Sequence, residues 1–401
     1  MKSEWYKIKF EDFVEINPTI RLDKGNEYHV IYMEDVIPGN RFVRPSNKKI
    51  LKGSGAKFQD DDILFARITP CLENGKIAQV IGLGENHGFG STEFFVFRER
   101  DKISLNSFIY YLCLTDLLRK TAERSMTGAS GRQRANIDAL KNLELRVPKL
   151  SFQKKISSVL SNFDKLIKNN LDRILISDKI SAMIYEEWFV RFRFPGVAKK
   201  NHSKFSMNNL PKGWEKKRLN EICIIAMGQS PKSMYYNLEG IGLPFHQGVT
   251  DFEFRFPKTK RYCSIEKRVA EAGDILFSVR APVGRINISK NKIIIGRGLC
   301  AIRSRKNFQN FIFYQLKHKF YEEDIIGAGT VYKAVTKDDV HKIEILYPKE
   351  ELIEEFEKNI KPISDLILNL TIKNECLRQL RDLLLPKLVF GDIEILDFIN
   401  N

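Results

Sequence analysis

No stretch of this chain stays apolar for the ~18 to 20 residues that a membrane-crossing helix needs, and its opening, Met1-Lys-Ser-Glu-Trp-Tyr-Lys-Ile-Lys-Phe10, lacks the small-residue cleavage pattern of a secretory signal. Both absences lead to the expectation of a cytoplasmic protein with no membrane partner. Cysteine is scarce and scattered: Cys71, Cys113, Cys223, Cys263, Cys300 and Cys376 form no CxxC pair and have no histidine at ligand spacing. Neither a zinc site nor a disulfide framework is indicated, and reduced, mostly buried thiols are expected. The motifs of catalysis are missing as well. Gly53-Ser-Gly-Ala-Lys57 and Gly75-Lys76 fall short of a phosphate-binding GxxxxGK[ST] loop, and Asn17-Pro18-Thr19 is a turn rather than the Asn/Asp-Pro-Pro-Tyr of amino-methyltransferases. There is no Gly-x-Ser-x-Gly elbow and no His-Glu-x-x-His helix, and the histidines at 29, 87, 202, 246, 318 and 341 are dispersed. Gly88-Phe-Gly90 and Gly327-Ala-Gly329 read as flexible turns. Asp60-Asp-Asp62 and Asp338-Asp339 read as entries to a strand or helix before they read as Mg²⁺ ligands.

What is present is a balanced, strongly basic chain. Its 401 residues exceed one ordinary core and suggest two domains of roughly 150 residues each; 43% hydrophobic and 29% charged residues suit folded domains rather than long disordered tails. The net charge of +16 calls for a polyanionic partner, because Lys and Arg release counterions when they meet phosphates. Its distribution is uneven: +4 over residues 1–150, +5 over 151–200, +11 over 201–348 and −4 over 349–401. The last segment is therefore expected to touch protein rather than phosphate.

The chain repeats itself. Trp5-Tyr-Lys-Ile-Lys-Phe and Trp214-Glu-Lys-Lys-Arg-Leu each lead into a polar turn, at Asn17-Pro18 and at Gln229-Ser230-Pro231. Asp62-Ile-Leu-Phe-Ala-Arg67 with Pro70 matches Asp274-Ile-Leu-Phe-Ser-Val-Arg280 with Pro282, and Gly75-Lys-Ile matches Gly284-Arg-Ile. Phe108-Ile-Tyr-Tyr then matches Phe311-Ile-Phe-Tyr, and Leu143-Glu-Leu-Arg-Val-Pro148 matches Ile343-Glu-Ile-Leu-Tyr-Pro348. Runs such as Phe94–Phe97, Ile293–Ile295 and Asp274–Val279 have the β-branched and aromatic content of strands, so each half reads as a mixed α+β unit. After Pro148 and Pro348 the period turns helical. The expected apolar stripe of the first helix runs through Ile156, Val159 or Leu160, Phe163, Leu166 or Ile167, Leu171, Ile174, Ile180, Met183 and Ile184. The second runs through Ile353, Phe356, Ile360, Ile363, Ile367, Leu370, Asn374, Leu377, Arg381 and Leu384, with the steps of a coiled-coil seam. Asn170 and Asn374 either fix the register of that seam or face solvent.

Two divergent α+β halves, each ending in a proline followed by a long helix, resemble a type I restriction-modification specificity subunit over essentially the whole chain. The most specific pieces are Glu187-Trp-Phe-Val-Arg-Phe192 ahead of Pro195-Gly196, Leu380-Arg-Asp-Leu-Leu-Leu-Pro-Lys387 ahead of Gly391, Asp-Ile-Leu-Phe, and Thr127-Gly-Ala-Ser-Gly-Arg-Gln-Arg-Ala-Asn-Ile137. The second half departs from the last of these, since Gly327-Ala-Gly-Thr-Val-Tyr-Lys-Ala-Val335 lacks its Gln and Asn. The resemblance implies an α+β fold: two repeated target recognition domains, at 1–150 and 199–348, separated by two long helices packed as an antiparallel coiled coil, at 151–198 and 349–401. It implies a non-catalytic subunit that reads a bipartite, asymmetric site in double-stranded DNA, with helix length setting the spacing of the half-sites. Two methyltransferase subunits would dock on the helix ends through Trp188, Phe189, Phe192, Leu384 and Leu385. A motor-nuclease subunit would join them, and S-adenosylmethionine, ATP and Mg²⁺ would belong to these partners.

Side-chain chemistry ranks the DNA-contact candidates, because Arg and Lys grip guanine or phosphate and Gln and Asn pair with adenine. In the first domain they are Arg67, Thr69, Lys76, Arg132, Gln133, Arg134 and Asn136; in the second, Gln229, Ser230, His246, Gln247, Arg280, Arg285, Arg297, Tyr332 and Lys333. A solvated surface role competes at each position. For Arg67 and Arg280 an ion pair with Asp62 or Asp274 competes too. Two rival readings stand beside this one: a stand-alone DNA-modifying or DNA-cleaving enzyme with an unrecognised active site, and an RNA-binding scaffold.

Overall fold

The computed structural model describes residues 4–84, 86–129, 131–196, 205, 209–326 and 335–393. The chain divides into two compact units, one formed by residues 1–172 with 371–401 and the other by residues 173–370. The division falls within the two long helices, so each unit holds a sheet-bearing body and one stretch of each helix.

In the first unit a five-stranded sheet has the order Val14–Ile16, Phe94–Glu99, Ile63–Ala66, Ile77–Val80, Phe42–Val43. A four-stranded sheet has the order Asn47–Ile50, Glu27–Ile31, Gly88–Gly90, Ala56–Phe58, and the strand Trp5–Lys9 pairs antiparallel with Glu144–Pro148. The second unit repeats this plan. Cys223–Met227, Leu299–Ser304, Ile275–Ser278 and Ile286–Ile288 reproduce the first four strands of the larger sheet. Tyr262–Cys263, Leu243–His246, Ile293–Ile295 and Val269–Ala270 reproduce the smaller one, with Tyr236–Asn237 added on its edge. Glu215–Arg218 pairs with Glu344–Tyr347 as the first strand of the other unit does with its partner.

The Asp-Ile-Leu-Phe identity has a physical cause. Asp62 is fully buried at the head of its strand, accepts the Gln59 amide at 2.9 Å and pairs with Arg98 of the neighbouring strand at 2.7 Å. Asp274 does the same with the Glu271 amide at 2.8 Å and Arg303 at 2.6 Å. The apolar residues behind each aspartate fill the core beneath the sheet. The ion pairs of Arg67 with Asp62 and of Arg280 with Asp274, the rival to DNA contact at these arginines, do not form among the described residues, where Arg98 and Arg303 pair with the two carboxylates. Gly75 and Gly284, the matched glycines, both take the left-handed backbone (φ 71° and 84°) that a side chain resists. Gly88-Phe-Gly90 is a buried strand, not a flexible turn. A Cβ at Gly88 would stand 2.6 Å from the Phe58 ring and one at Gly90 2.3 Å from the Ile31 carbonyl, so glycine is needed for close approach.

The central helix spans Leu150–Tyr185 and continues as a π-helical turn, Glu186–Val190; the distal helix spans Glu350–Phe390. In each unit their stretches run antiparallel. In the first, Asn170 Nδ2 donates to Asn374 Oδ1 at 2.8 Å, Asn374 Nδ2 to the Ile167 carbonyl at 3.2 Å, and Arg381 pairs with Asp164 at 2.7 Å. Both asparagines are buried, so they lie in the seam. In the second, Ile174 packs with Ile367 and Leu370, and the Phe189 and Phe356 rings meet at 5.0 Å.

An arginine from each sheet body is linked to a carboxylate of the central helix, directly in the second unit and through a tyrosine hydroxyl in the first. Arg255 pairs with Asp178 at 2.7 Å and donates to Tyr314 Oη at 2.9 Å and Ser364 Oγ at 3.1 Å. Arg41 donates to Tyr111 Oη at 3.0 Å, and that hydroxyl donates to Asp164. These buried polar groups correct the stripe expected for the central helix. Ser177, Asp178 and Ser181 occupy the seam there, whereas Ile180 and Met183 are about half exposed. Apolar periodicity failed because Arg255 and Lys317 supply a partner that makes a buried aspartate affordable.

Candidate DNA interface

In the second unit the parallel strands Leu243–His246 and Ile293–Ile295 leave their sheet at the same end, paired Phe245↔Ile294 and His246↔Ile295. Their next residues, Gln247-Gly248 and Gly296-Arg297-Gly298, form adjoining loops, joined by Gly228-Gln229-Ser230 from the neighbouring sheet. The Gly296 amide donates to the His246 carbonyl at 2.8 Å and the Gln229 amide to the Ile295 carbonyl at 3.0 Å. The loops fit only because glycines face backbone: a Cβ on Gly228 would lie 2.2 Å from the Gly296 carbonyl oxygen. Ser230 Oγ ties the three together, donating to Gln247 Oε1 at 2.9 Å and accepting from the Arg297 amide at 3.1 Å. Gln229, Gln247 and Arg297 are left exposed on this rim, and Arg280 is exposed as well.

The first unit builds its rim from the equivalent strands, Glu27–Ile31 and Gly88–Gly90, again parallel, with Ile31↔Gly90. Asn17 begins the loop that follows Val14–Ile16, as Gly228 begins the loop that follows Cys223–Met227. It holds a left-handed turn (φ 50°), and its side chain accepts from the Val96 amide at 3.0 Å. Behind it opens a cavity of about 340 Å³ lined by Asn17, Thr19, Lys57, Arg67 and Thr92 among others. The Arg67 guanidinium lies over the Phe95 ring at 4.8 Å, and among the described residues its Nε has no hydrogen-bond partner. Arg132 is exposed, and Arg134 is held by Glu93 at 2.7 Å. The Ala135 amide donates to the Arg67 carbonyl at 2.8 Å, and the Thr69 amide to the Gln133 carbonyl at 3.0 Å, so the glycine-rich segment lies against the strand end that carries Arg67.

Several expected contact residues have other work. Lys76 donates to the Met33 carbonyl at 2.6 Å, Asn136 caps the helix Ile137–Lys141, and Thr69 donates to Glu73. His246 is only 1% exposed, which removes it from any DNA-facing surface: it points inward because it ends a strand of the smaller sheet. Its ring stands 3.5 Å from Asp251, and against the upward pull of burial this ring and Lys260 hold the Asp251 carboxyl below its ordinary range. Arg285 is exposed, with its amide bonded to Ser278 Oγ. Tyr332 and Lys333, like Gly327-Ala-Gly329, lie outside the described residues.

The docking residues need correction also. Phe189, Phe192 and Leu385 are at most 4% exposed: Phe189 and Leu385 belong to the apolar cores, and Phe192 packs on Trp214. Trp188 and Leu384 are half-buried against the same cores. The docking role that the resemblance implied assumed exposed side chains here, whereas in the π-helical turn Phe189 packs against Phe311 and Phe356. The exposed apolar residues of the helices lie elsewhere. Ile176, Ile180 and Met183 form one stripe in the second unit, and Ile372, Leu380 and Leu383 one in the first, each residue 44 to 65% exposed. Cys376 lies in the latter stripe and is exposed. Sequence could have found them: Ile180 with Leu380 and Met183 with Leu383 are spaced along the repeat as Pro148 and Pro348 are.

Among the described residues no helix is long and apolar enough to cross a membrane, and no group of three His, Cys, Asp or Glu side chains is placed to hold a metal. The sequence model of the type I restriction modification DNA specificity domain matches twice, at residues 2–175 and 211–381. The chain belongs to this family. The specificity subunit is the DNA-recognition, non-catalytic component of such systems, and both matched segments cover a rim described above. Its relatives include the type I restriction enzyme MjaX specificity subunit of Methanocaldococcus jannaschii, 33% identical, with 83% of this chain and 79% of that one aligned. The type I restriction enzyme HindI specificity subunit of Haemophilus influenzae is 23% identical over 98% of this chain and all of its own length. The fold is shared with the S subunit of a type I restriction-modification system from M. genitalium, at 18% identity, 96% coverage of both chains and a TM-score of 0.53.

Proposed function

We propose that this specificity subunit reads a bipartite, asymmetric duplex, one half-site at each rim, in the cytoplasm beside two methyltransferase subunits and a motor-nuclease subunit. One observation carries the reading: the two units share a sheet order but present different side chains on the loops that leave equivalent strands, Asn17-Pro18, Tyr32 and Ser91-Thr92 against Gly228-Gln229, Gln247 and Gly296-Arg297. Equal scaffolds with unequal polar rims suit two different half-sites, whereas identical rims would favour a palindrome. The central helix, 36 residues long, extends about 54 Å at ~1.5 Å per residue, which supports a role in setting half-site spacing. The equivalent exposed stripes offer two similar apolar surfaces, one for each methyltransferase subunit. S-adenosylmethionine, ATP and Mg²⁺ are assigned to those partners.

The test replaces Gln229, Gln247 and Arg297 together by alanine in the assembled methyltransferase and maps the methylated sites by sequencing of modified bases. The expected result is relaxed base preference in one half of the site and an unchanged other half. Relaxation of both halves, or of neither, would defeat the assignment.

A further inference from the structure

Residues 36–59 hold six Lys and Arg and not one Asp or Glu. Arg41 is committed to Tyr111, and Lys57 lines the Arg67 cavity; the others centre on the strand Asn47–Ile50. That strand is the edge of its sheet, and all four of its residues are exposed. It pairs only with Glu27–Ile31, placing Lys48 opposite His29 and Lys49 opposite Tyr28. Because it buries no side chain, packing does not dictate its sequence. Among the described residues Arg44, Lys48 and Lys52 make no ion pair, and Lys49 lies 4.9 Å from the Tyr32 ring centroid.

Its position matters as much as its charge. Glu27–Ile31 runs parallel to Gly88–Gly90, so Tyr32 and Ser91 leave the sheet side by side, and Asn47 pairs with Val30 at that same end. Ser91 leads directly to Thr92 and Glu93 beside Arg67. The second unit differs here. Its equivalent strand, Tyr262–Cys263, is covered by Tyr236–Asn237, and Cys263 is buried.

We infer that the bare edge strand Asn47–Ile50, with the residues that flank it, is a second DNA-contact element of the first unit, gripping duplex phosphates through Arg44, Lys48 and Lys52, with no counterpart in the second unit. The inference rests on the reading of the rims as DNA-facing. An exposed sheet edge can lie along a duplex backbone, where cations that pair with no carboxylate release phosphate counterions. The rival explanation is that lysines on an edge strand merely discourage strand-to-strand association. Charge reversal separates the two, since glutamate protects an edge as well as lysine does but repels phosphate.

The experiment compares the assembled methyltransferase complex carrying Lys48→Glu with Lys52→Glu, or Lys48→Gln with Lys52→Gln, against the parent complex on its cognate duplex over a range of salt. Affinity is expected to fall about tenfold or more for the glutamate pair near 0.1 M salt and less for the glutamine pair. The slope of log affinity against log salt should become shallower by about 0.9 for each phosphate contact removed, with no change in melting temperature or monodispersity. Unchanged affinity and slope would overturn the inference and leave the rims intact as the DNA-facing surface. Loss of methyltransferase assembly on native mass measurement would overturn it by assigning the edge strand to a protein partner. A parent complex that binds no duplex would overturn both the inference and the reading beneath it.

Discussion

At the scale of single residues, the thiols show how burial decides reactivity. Burial pushes the Cys223 and Cys300 thiols up to about 12 and raises Cys113 further. At pH 8 a group titrating near 12 is roughly one part in ten thousand thiolate, and the thiolate is the nucleophile. The sign is plain: raising pH toward 9 increases that fraction tenfold and still leaves it negligible. Cys376 is exposed on the stripe with Ile372, Leu380 and Leu383. Brief alkylation at pH 8, read by peptide mass mapping, should therefore modify Cys376 and spare Cys113, Cys223 and Cys300. Assembly with the methyltransferase should then slow labelling at Cys376. Equal labelling in the free and assembled states would place the docking surface elsewhere.

At the scale of elements, the seam between the helices combines apolar layers with a few satisfied polar ones. Replacing Asn374 alone by leucine strands the Asn170 amide in a buried layer and should destabilise the first unit by about 1–3 kcal/mol. Replacing both by leucine removes the demand on either side and should recover most of that loss, as measured by a double-mutant cycle in denaturant unfolding. Additive losses would mean that the two amides do not depend on each other. The same seam explains what the sequence made legible. The long helices were readable because Ile156, Leu160, Ile353, Phe356 and Ile360 keep helical spacing. The repeat was readable because Asp62 and Asp274 each need an arginine and an apolar strand behind them. The central helix beyond Ile174 was misread because its buried positions are Ser177, Asp178 and Ser181, whose partners come from far along the chain. Rim residues were misjudged for a similar reason. Whether His246 or Gln247 faces outward depends on the pairing of Leu243–His246 with Ile293–Ile295, and no local period records it.

At the scale of the whole molecule, connectivity matters more than any one contact. The second unit is continuous in sequence, whereas the first is completed by residues 371–401. That segment supplies Arg381 to Asp164, Asn374 to Asn170, and Leu385, Leu388 and Val389 to the first core. Burial of three such side chains contributes roughly 5–9 kcal/mol at ~1.5–3 each, comparable with the 5–15 kcal/mol that holds a typical domain together. A chain stopped after residue 370 should therefore lose amide protection throughout residues 5–148 while residues 215–347 remain protected, as read by hydrogen exchange. Retained protection in the first segment would show that its sheets stand without the distal helix.

Gly391 stands so close to Trp5 that a Cβ there would meet the indole at 2.9 Å. A ribosome making this polypeptide releases residue 5 early and must translate the whole intervening unit before residue 391 emerges. The order of maturation is thus the reverse of the order of manufacture: the half translated first waits, incomplete and in need of shelter, until the half translated after it has already closed.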